Sequence, residues 1–240
     1  PADRLMEAQP RSKRTPDDAD PRQRVLALLR RHGRSTTSFQ VLEPGFHYWF
    51  AHDDACVAYA DTGAAWIAAG PPIAAPSDIA ATARAFVAHA RKHHRRASFF
   101  AVHAEFAHQA DLATLAIGED AEWDLASWPE TLRRSRSLRE QLRRAKAKGL
   151  HVRVVPSDEV TEGQPLRQAL DALIAGWLAS RPMAAMGFLV DVCPFDFAKE
   201  RVYLVAERDG RLVGFLAAVP IYERSGFFVE DLLRTHDAPN

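Results

Sequence analysis

The chain has 240 residues, 47% of them apolar and 26% charged, and its 31 basic side chains are matched by 31 acidic ones. This is a globular composition, enough for one large or two small domains, and it excludes a wholly disordered chain, a collagen and a coiled coil. Zero net charge excludes a globally basic nucleic-acid binder but leaves room for a local basic patch.

Residues 1–24 hold four prolines, six Arg or Lys, five Asp or Glu and no aromatic residue. Such a segment cannot bury a core, so it reads as a disordered arm. Val25, Leu26, Leu28 and Leu29 then form the apolar face of a short helix that Gly33 can end. Phe46–Phe50 is a short aromatic strand. Ala55–Ala60, an Asp61-Thr62-Gly63 turn and Ala64–Ala69 read as a hairpin. After Gly70-Pro71-Pro72, Ser77 or Asp78 caps a helix running to about His94, with Ile79, Ala83, Phe86, Val87 and Ala90 at helical spacing. Ala97–Val102 reads as a buried strand and Glu105–Leu112 as a short helix. Leu115–Ile117 and Glu122–Leu125 read as further strands, and 129–149 as a second long helix ended by Gly149. A strand at Val152–Val155 and a helix at Leu166–Ser180 follow. Val202–Glu207, the turn Arg208-Asp209-Gly210, Leu212–Ile221 and Phe227–Leu233 make an antiparallel meander. The Gly63 and Gly210 hairpins share a strand, an acidic-Gly turn, a strand and a terminal Pro-Ile, which predicts an internal duplication with Gly63 and Gly210 in equivalent positions.

The strongest compositional signal is Thr131–Lys148, with eight basic residues and one acid, Glu140. Arg136, Arg139 and Arg143 lie at i, i+3 and i+7 and project from one face. Like charges so dense cost helix stability unless they meet an anion. Phosphates of RNA or of lipid headgroups fit, since arginine binds them bidentately; the alternative is a solvated surface helix.

Other chemistry is thin. Cys56 and Cys193 sit in no disulfide or metal spacing, which favours a reducing cytosol. His89, His93 and His94 lie on a basic helix end, where imidazole helps at the negative pole, and no third ligand follows at a convincing spacing, so no metal is expected. There is no GxSxG. The longest apolar run, 64–75, is broken by Gly70, Pro71 and Pro72, short of the roughly 18–20 residues of a membrane span. No signal peptide is visible at an N-terminus that opens on Pro1. In the last strand Glu230 and Asp231 face opposite sides, so one carboxylate points toward the packed face or a cleft and calls for an arginine partner or a function. Asp231 and Arg234 reach one cleft only if the strand ends or bulges between them.

The hairpin Val205–Pro220, with its Val-Gly-Phe strand, resembles the central strands of the GNAT acyltransferase fold, yet no glycine-rich loop follows at a helix N-terminus to hold a CoA pyrophosphate. In order along residues 36–240, "FHYWF", "AAGPPIA", "FVAHARKHHRR", "ASFFAV", "SRSLREQLRRAKAKG" and "VAERDGRLVGFL…EDLLR" resemble the C-terminal domain of phosphatidylglycerol lysyltransferases and its stand-alone relatives. The resemblance implies an α/β (α+β) fold of two tandem GNAT-like domains with mixed, largely antiparallel sheets. It divides the chain into an arm (1–24), a first domain (25–126), a basic linking helix (127–149) and a second domain (150–240) that would continue past Asn240. It implies aminoacyl transfer from aminoacyl-tRNA to a lipid or other hydroxyl or amine acceptor, without CoA or another cofactor. Asp231 and Arg234, at the family's Asp-to-Arg spacing, would be catalytic, and Arg136, Arg139, Arg143 and Arg144 would meet the tRNA or another anion. Ala185 stands where the lipid enzymes usually carry Glu. The protein would be cytoplasmic, in peripheral contact with the inner membrane face. An acyl-CoA N-acyltransferase and a non-catalytic RNA- or anionic-membrane-binding module are the alternatives.

Overall fold

The computed structural model describes residues 20–180, 192–236 and 238; residues 1–19 and the Ala185–Phe188 region lie outside these. Helix α1 (Pro21–His32) starts inside the segment read as an arm. The Asp20 side chain accepts from the Arg22 amide and Pro21 occupies the first turn, where its missing N–H costs nothing. The arm reading over 21–24 is therefore corrected: composition cannot register that Arg22 donates to the Leu42 carbonyl and that Arg24 pairs with Asp53.

Two four-stranded sheets follow. The first runs β1 (His47–His52), β2 (Ala55–Asp61), β3 (Ala65–Ala69) and β4 (Arg96–Phe100). Its first two pairings are antiparallel; β3 and β4 are parallel, joined through helix α2 (Ile79–Lys92). A short helix α3 (Ala104–Gln109) comes next. The second sheet is β5 (His151–Val155), β6 (Val202–Arg208), β7 (Arg211–Ile221) and β8 (Gly226–Arg234), antiparallel throughout. Asp209 and Gly210, both at positive φ, close the β6–β7 turn as the sequence predicts.

Helix α6 (Pro165–Ala179) lays Leu170, Leu173 and Ile174 on Tyr203, Val205, Phe215 and Leu233 of the second sheet. The opposite face carries Val154, Leu204, Leu216 and Leu232 in register, with Val154 and Leu232 exposed. Helix α1 and the 3-10 turn Ser38–Leu42 join the two halves: their buried Val25, Leu28, Leu29, Phe39 and Leu42 pack with Cys56, Ala58 and Ile73 on one side and Val219 on the other. Polar contacts repeat the link. Glu200 accepts from Arg30 and from the Tyr222 hydroxyl, which together hold its carboxyl below the usual range although burial works the other way.

Three sequence expectations change. Residues 112–124 form no strand; Leu115 is 85% and Trp123 74% exposed, and short apolar runs without a partner strand bury nothing. The segment is held instead by polar contacts, Asp120 to Thr36 and Glu122 to Arg224. The basic helix is two helices, α4 (Trp128–Arg134) and α5 (Arg136–Ala147), divided at Ser135, whose hydroxyl caps α5 by accepting from the Leu138 amide. The matching hairpins are also not equivalent by topology. Each sheet has a helix followed by a three-strand meander, α1 with β1–β2–β3 and α6 with β6–β7–β8. On that order the Gly210 turn corresponds to the Asp53-Asp54 turn, and the Gly63 turn to Tyr222–Ser225. Pro72 lies beyond its strand and Pro220 lies within one.

Candidate active site

A cleft of about 340 Å³ opens between the halves, near the lower end of ligand-binding clefts. The first half contributes Thr37, Gln40 and Glu43 from and beside the 3-10 turn, and Ala69–Gly70 and Phe100–Ala101. These last are the carboxyl ends of the parallel pair β3–β4, where open sheets commonly bind ligands. Gly70 turns out of β3 at φ +87°, donating to the Phe100 carbonyl at 2.9 Å, and Ala101 takes φ +55°, an unusual conformation for a side-chain-bearing residue. The second half contributes Trp177 of α6 and Glu230–Leu233 of β8, an edge strand of its sheet among the described residues.

The chemistry concentrates on β8. Its register against β7 shifts between Ala217 and Ala218, leaving Glu230 as the extra residue of a β-bulge. The bulge turns two successive carboxylates inward. Glu230 forms an ion pair with Arg201, whose side chain is 2% exposed against 7% for Glu230. Arg201 also donates to the Asp196 carbonyl at 2.8 Å. The second carboxylate oxygen of Glu230, Oε1, is buried without a hydrogen-bond partner among the described residues. Asp231 is 8% exposed. Burial, then the adjacent Glu230 charge, push its carboxyl up to about 6, with Arg201 working the other way. Among the described residues nothing hydrogen-bonds to it. A carboxyl of this kind changes protonation near neutrality, as a general acid or base must.

The bulge that would bring Asp231 and Arg234 together sits before Asp231 rather than between the two. The strand runs unbroken to Arg234, so alternation places Arg234 on the opposite face, bordering a neighbouring groove with His236. The residues that sequence reasoning missed are Arg201, Glu43 and Trp177. Each is remote from β8 in sequence, and only the isolated polar positions of "KERVYLV" and "VLEPGF" hint at two of them.

The other candidates sit apart from the cleft. On α5, Arg143 pairs with Glu140, and Arg139 donates to the Leu132 carbonyl at 2.6 Å, bracing the end of α4. Arg136 and Arg144 form no salt bridge among the described residues, although the Arg144 charge acts on Glu140 one turn away. No His, Cys, Asp or Glu cluster suited to a metal occurs among the described residues. His89 and His93 instead join the aromatic cluster of Trp49, Trp66 and Phe86, with His89 stacked on Trp49 at 5.3 Å. Cys56 is buried and its thiol is pushed up to about 12, so it is no nucleophile.

A family model for the C-terminal part of phosphatidylglycerol lysyltransferase matches residues 26–240. The chain belongs to this lysyltransferase C-terminal domain family. Among solved structures it is similar to the C-terminal domain of a protein named as a lysylphosphatidylglycerol synthetase in Agrobacterium fabrum, with TM-score 0.78 and 23% identity, covering 91% of this chain and 69% of that one. It is likewise similar to L-PGS from Bacillus licheniformis, with TM-score 0.78 and 18% identity, covering 95% of this chain and 70% of that one. At these identities the likeness is one of fold, a GNAT-like α/β architecture. No curated protein matches the sequence. No helix among the described residues of this lysyltransferase-family chain is long and apolar enough to cross a membrane.

Proposed function

We propose that the chain transfers an aminoacyl group from an aminoacyl-tRNA to a lipid hydroxyl, such as that of the phosphatidylglycerol headgroup, with Asp231 as general base. The observation that carries this is the desolvated Asp231 carboxyl in the cleft wall, titrating near 6. The ionised carboxylate takes the proton of the acceptor hydroxyl as its oxygen attacks the ester carbonyl. The tetrahedral intermediate collapses to the new ester, and the ribose oxygen of the tRNA leaves with that proton. Thr37 and Gln40, in the opposite wall, bear donors able to polarise the carbonyl. Arg234, bordering the adjoining groove, suits a phosphate of the donor better than the reacting ester. The loop between β3 and α2 opens on Gly70-Pro71-Pro72, and proline offers no N–H to hold a pyrophosphate, which favours tRNA over CoA as the donor. Transfer assayed with charged tRNA and phosphatidylglycerol vesicles, beside binding titrations with uncharged tRNA, CoA and anionic vesicles, separates this reading from acyl-CoA transfer and from non-catalytic binding.

In this reading Arg136, Arg139, Arg143 and Arg144 form the surface that meets the tRNA backbone, at the inner membrane face of the cytoplasm. Arg136 and Arg144, eight residues apart and so about 80° around the helix, are the informative pair, since Arg139 and Arg143 already hold contacts within the helices. Reversing both to Glu is expected to weaken tRNA binding and to lower the slope of log K against log salt by about 1.4–1.8, at about 0.7–0.9 per lost phosphate contact. A filter-binding salt series measures it; an unchanged affinity and slope make α5 a solvated surface helix.

A further inference from the structure

The stretch 113–148 contains no buried residue, and α4, α5 and the 3-10 turn Leu125–Ser127 before them add nothing to the cores. It nevertheless carries Leu115, Ile117, Trp123, Leu125 and Trp128 as exposed side chains, with Leu125 at 77%. Large apolar groups concentrated on one stretch mark an interaction site, unlike the single exposed residues that any surface shows. Their display is fixed from both sides. Before Trp123, Glu122 accepts from Arg224 at 2.7 and 2.9 Å. After it, Asp124 caps the 3-10 turn by accepting from the Ala126 amide at 2.9 Å, and α4 starts at Trp128 with proline in its first turn.

Charge identifies what this surface meets. Residues 128–148 hold eight basic side chains against two acids. Both acids are already paired within the helices, Glu130 with Arg133 and Arg134, and Glu140 with Arg143. Of the acids at 119–124, Asp120 is turned to Thr36, Glu122 to Arg224 and Asp124 to the backbone. Indole rings and aliphatic side chains beside long-stemmed cations fit the boundary of an anionic bilayer. The rings settle at headgroup level, the aliphatic groups just below, and the guanidinium groups meet lipid phosphates. A nucleic acid engages arginine and indole but offers nothing to Leu115, Ile117 and Leu125.

We propose that Trp123, Leu125 and Trp128, with the cations of α4 and α5 beside them, dock this chain on an anionic lipid surface. The inference rests on exposure and charge and not on the transferase reading; where both hold, it brings the cleft to its lipid.

The test uses the whole chain and a variant that changes no arginine, Trp123→Ser with Leu125→Ser and Trp128→Ser. All three side chains are exposed, so the unfolding transition is expected to stay that of the parent. Co-sedimentation is measured with vesicles of phosphatidylcholine alone and of an equal mixture with phosphatidylglycerol. The parent is expected to prefer the anionic vesicles on the order of tenfold or more. Its tryptophan emission is expected to be quenched by brominated acyl chains. The triple variant is expected to lose that quenching and on the order of tenfold or more in vesicle affinity, while binding uncharged tRNA as the parent does. A variant that binds anionic vesicles as tightly as the parent overturns the proposal, as does a parent whose emission is not quenched. Self-association of the parent that the variant abolishes, without vesicle binding, assigns the patch to a second copy and also overturns it. Vesicle docking without transfer from aminoacyl-tRNA leaves this surface standing and removes the transferase reading. Transfer to vesicle phosphatidylglycerol that the triple variant performs at the parent's rate does the reverse.

Discussion

Asp231→Asn is expected to lower the rate of aminoacyl transfer by about 10²–10⁴-fold, the usual contribution of a positioned general base, while leaving donor affinity nearly unchanged. The same substitution is expected to stabilise the fold at high pH. Asp231 has an ordinary carboxyl value of 3.8 that folding raises to about 6. Below 3.8 the carboxyl is protonated in both states and folding bears no cost. Between 3.8 and 6 the unfolded chain ionises while the folded one resists, so stability falls as pH rises. Above 6 the whole cost is present. At 1.36 kcal/mol per unit this amounts to roughly 2–3 kcal/mol at pH 8. The neutral amide removes it, less the expense of burying an amide without a partner, for a net gain of about 1–2 kcal/mol. Denaturant midpoints of both proteins at pH 8 and pH 4 check this, with a gain expected at pH 8 and little difference at pH 4. The transfer rate of the parent protein is expected to fall about tenfold per unit below pH 6, as the base is protonated. A full rate in Asp231→Asn, or no difference in stability at pH 8, removes Asp231 from the role.

Arg201→Met is expected to destabilise the protein by about 3–5 kcal/mol, the usual result of removing one partner from a buried pair. The Arg201–Glu230 pair is almost fully out of water, and Arg201 also satisfies the Asp196 carbonyl. Its loss leaves Glu230 a buried carboxylate without a counter-charge and removes from beside Asp231 the cation that works against its raised carboxyl. The double variant Arg201→Met with Glu230→Leu is expected to recover most of the stability, because apolar side chains of similar volume replace a buried pair at little cost. Thermal and denaturant unfolding of the three proteins checks this. A single variant as stable as the parent shows that the pair is solvated and that Glu230 needs no counter-ion.

The elements legible in the sequence are those whose signal is local. Helix α2 begins at Ile79 beside the Ser77-Asp78 signal, and α6 keeps Leu170, Leu173 and Ile174 on one face. The Asp209-Gly210 turn places the β6–β7 hairpin within a residue of expectation. Periodicity and turn chemistry act over a few residues, so one chain suffices to read them. The carboxylate pair Glu230–Asp231 was visible for the same reason, since consecutive charges on a strand cannot both face solvent.

The tertiary structure decided everything that depends on a partner distant in the chain. Leu115–Ile117 has the composition of a strand and no strand to pair with, so it stays exposed. The bulge exists because Ala217 and Ala218 face Asp231 and Val229 across the sheet, and its position separates Arg234 from Asp231. Arg201, 29 residues before Glu230, has no sequence feature tying it to that carboxylate; the two meet because β6 and β8 both flank β7. The family and its fold were legible from the residues in order, whereas the cleft's geometry was not. What a side chain does in the site is set by its burial and by which charge lies beside it, and both are properties of contacts that the chain acquires only on folding.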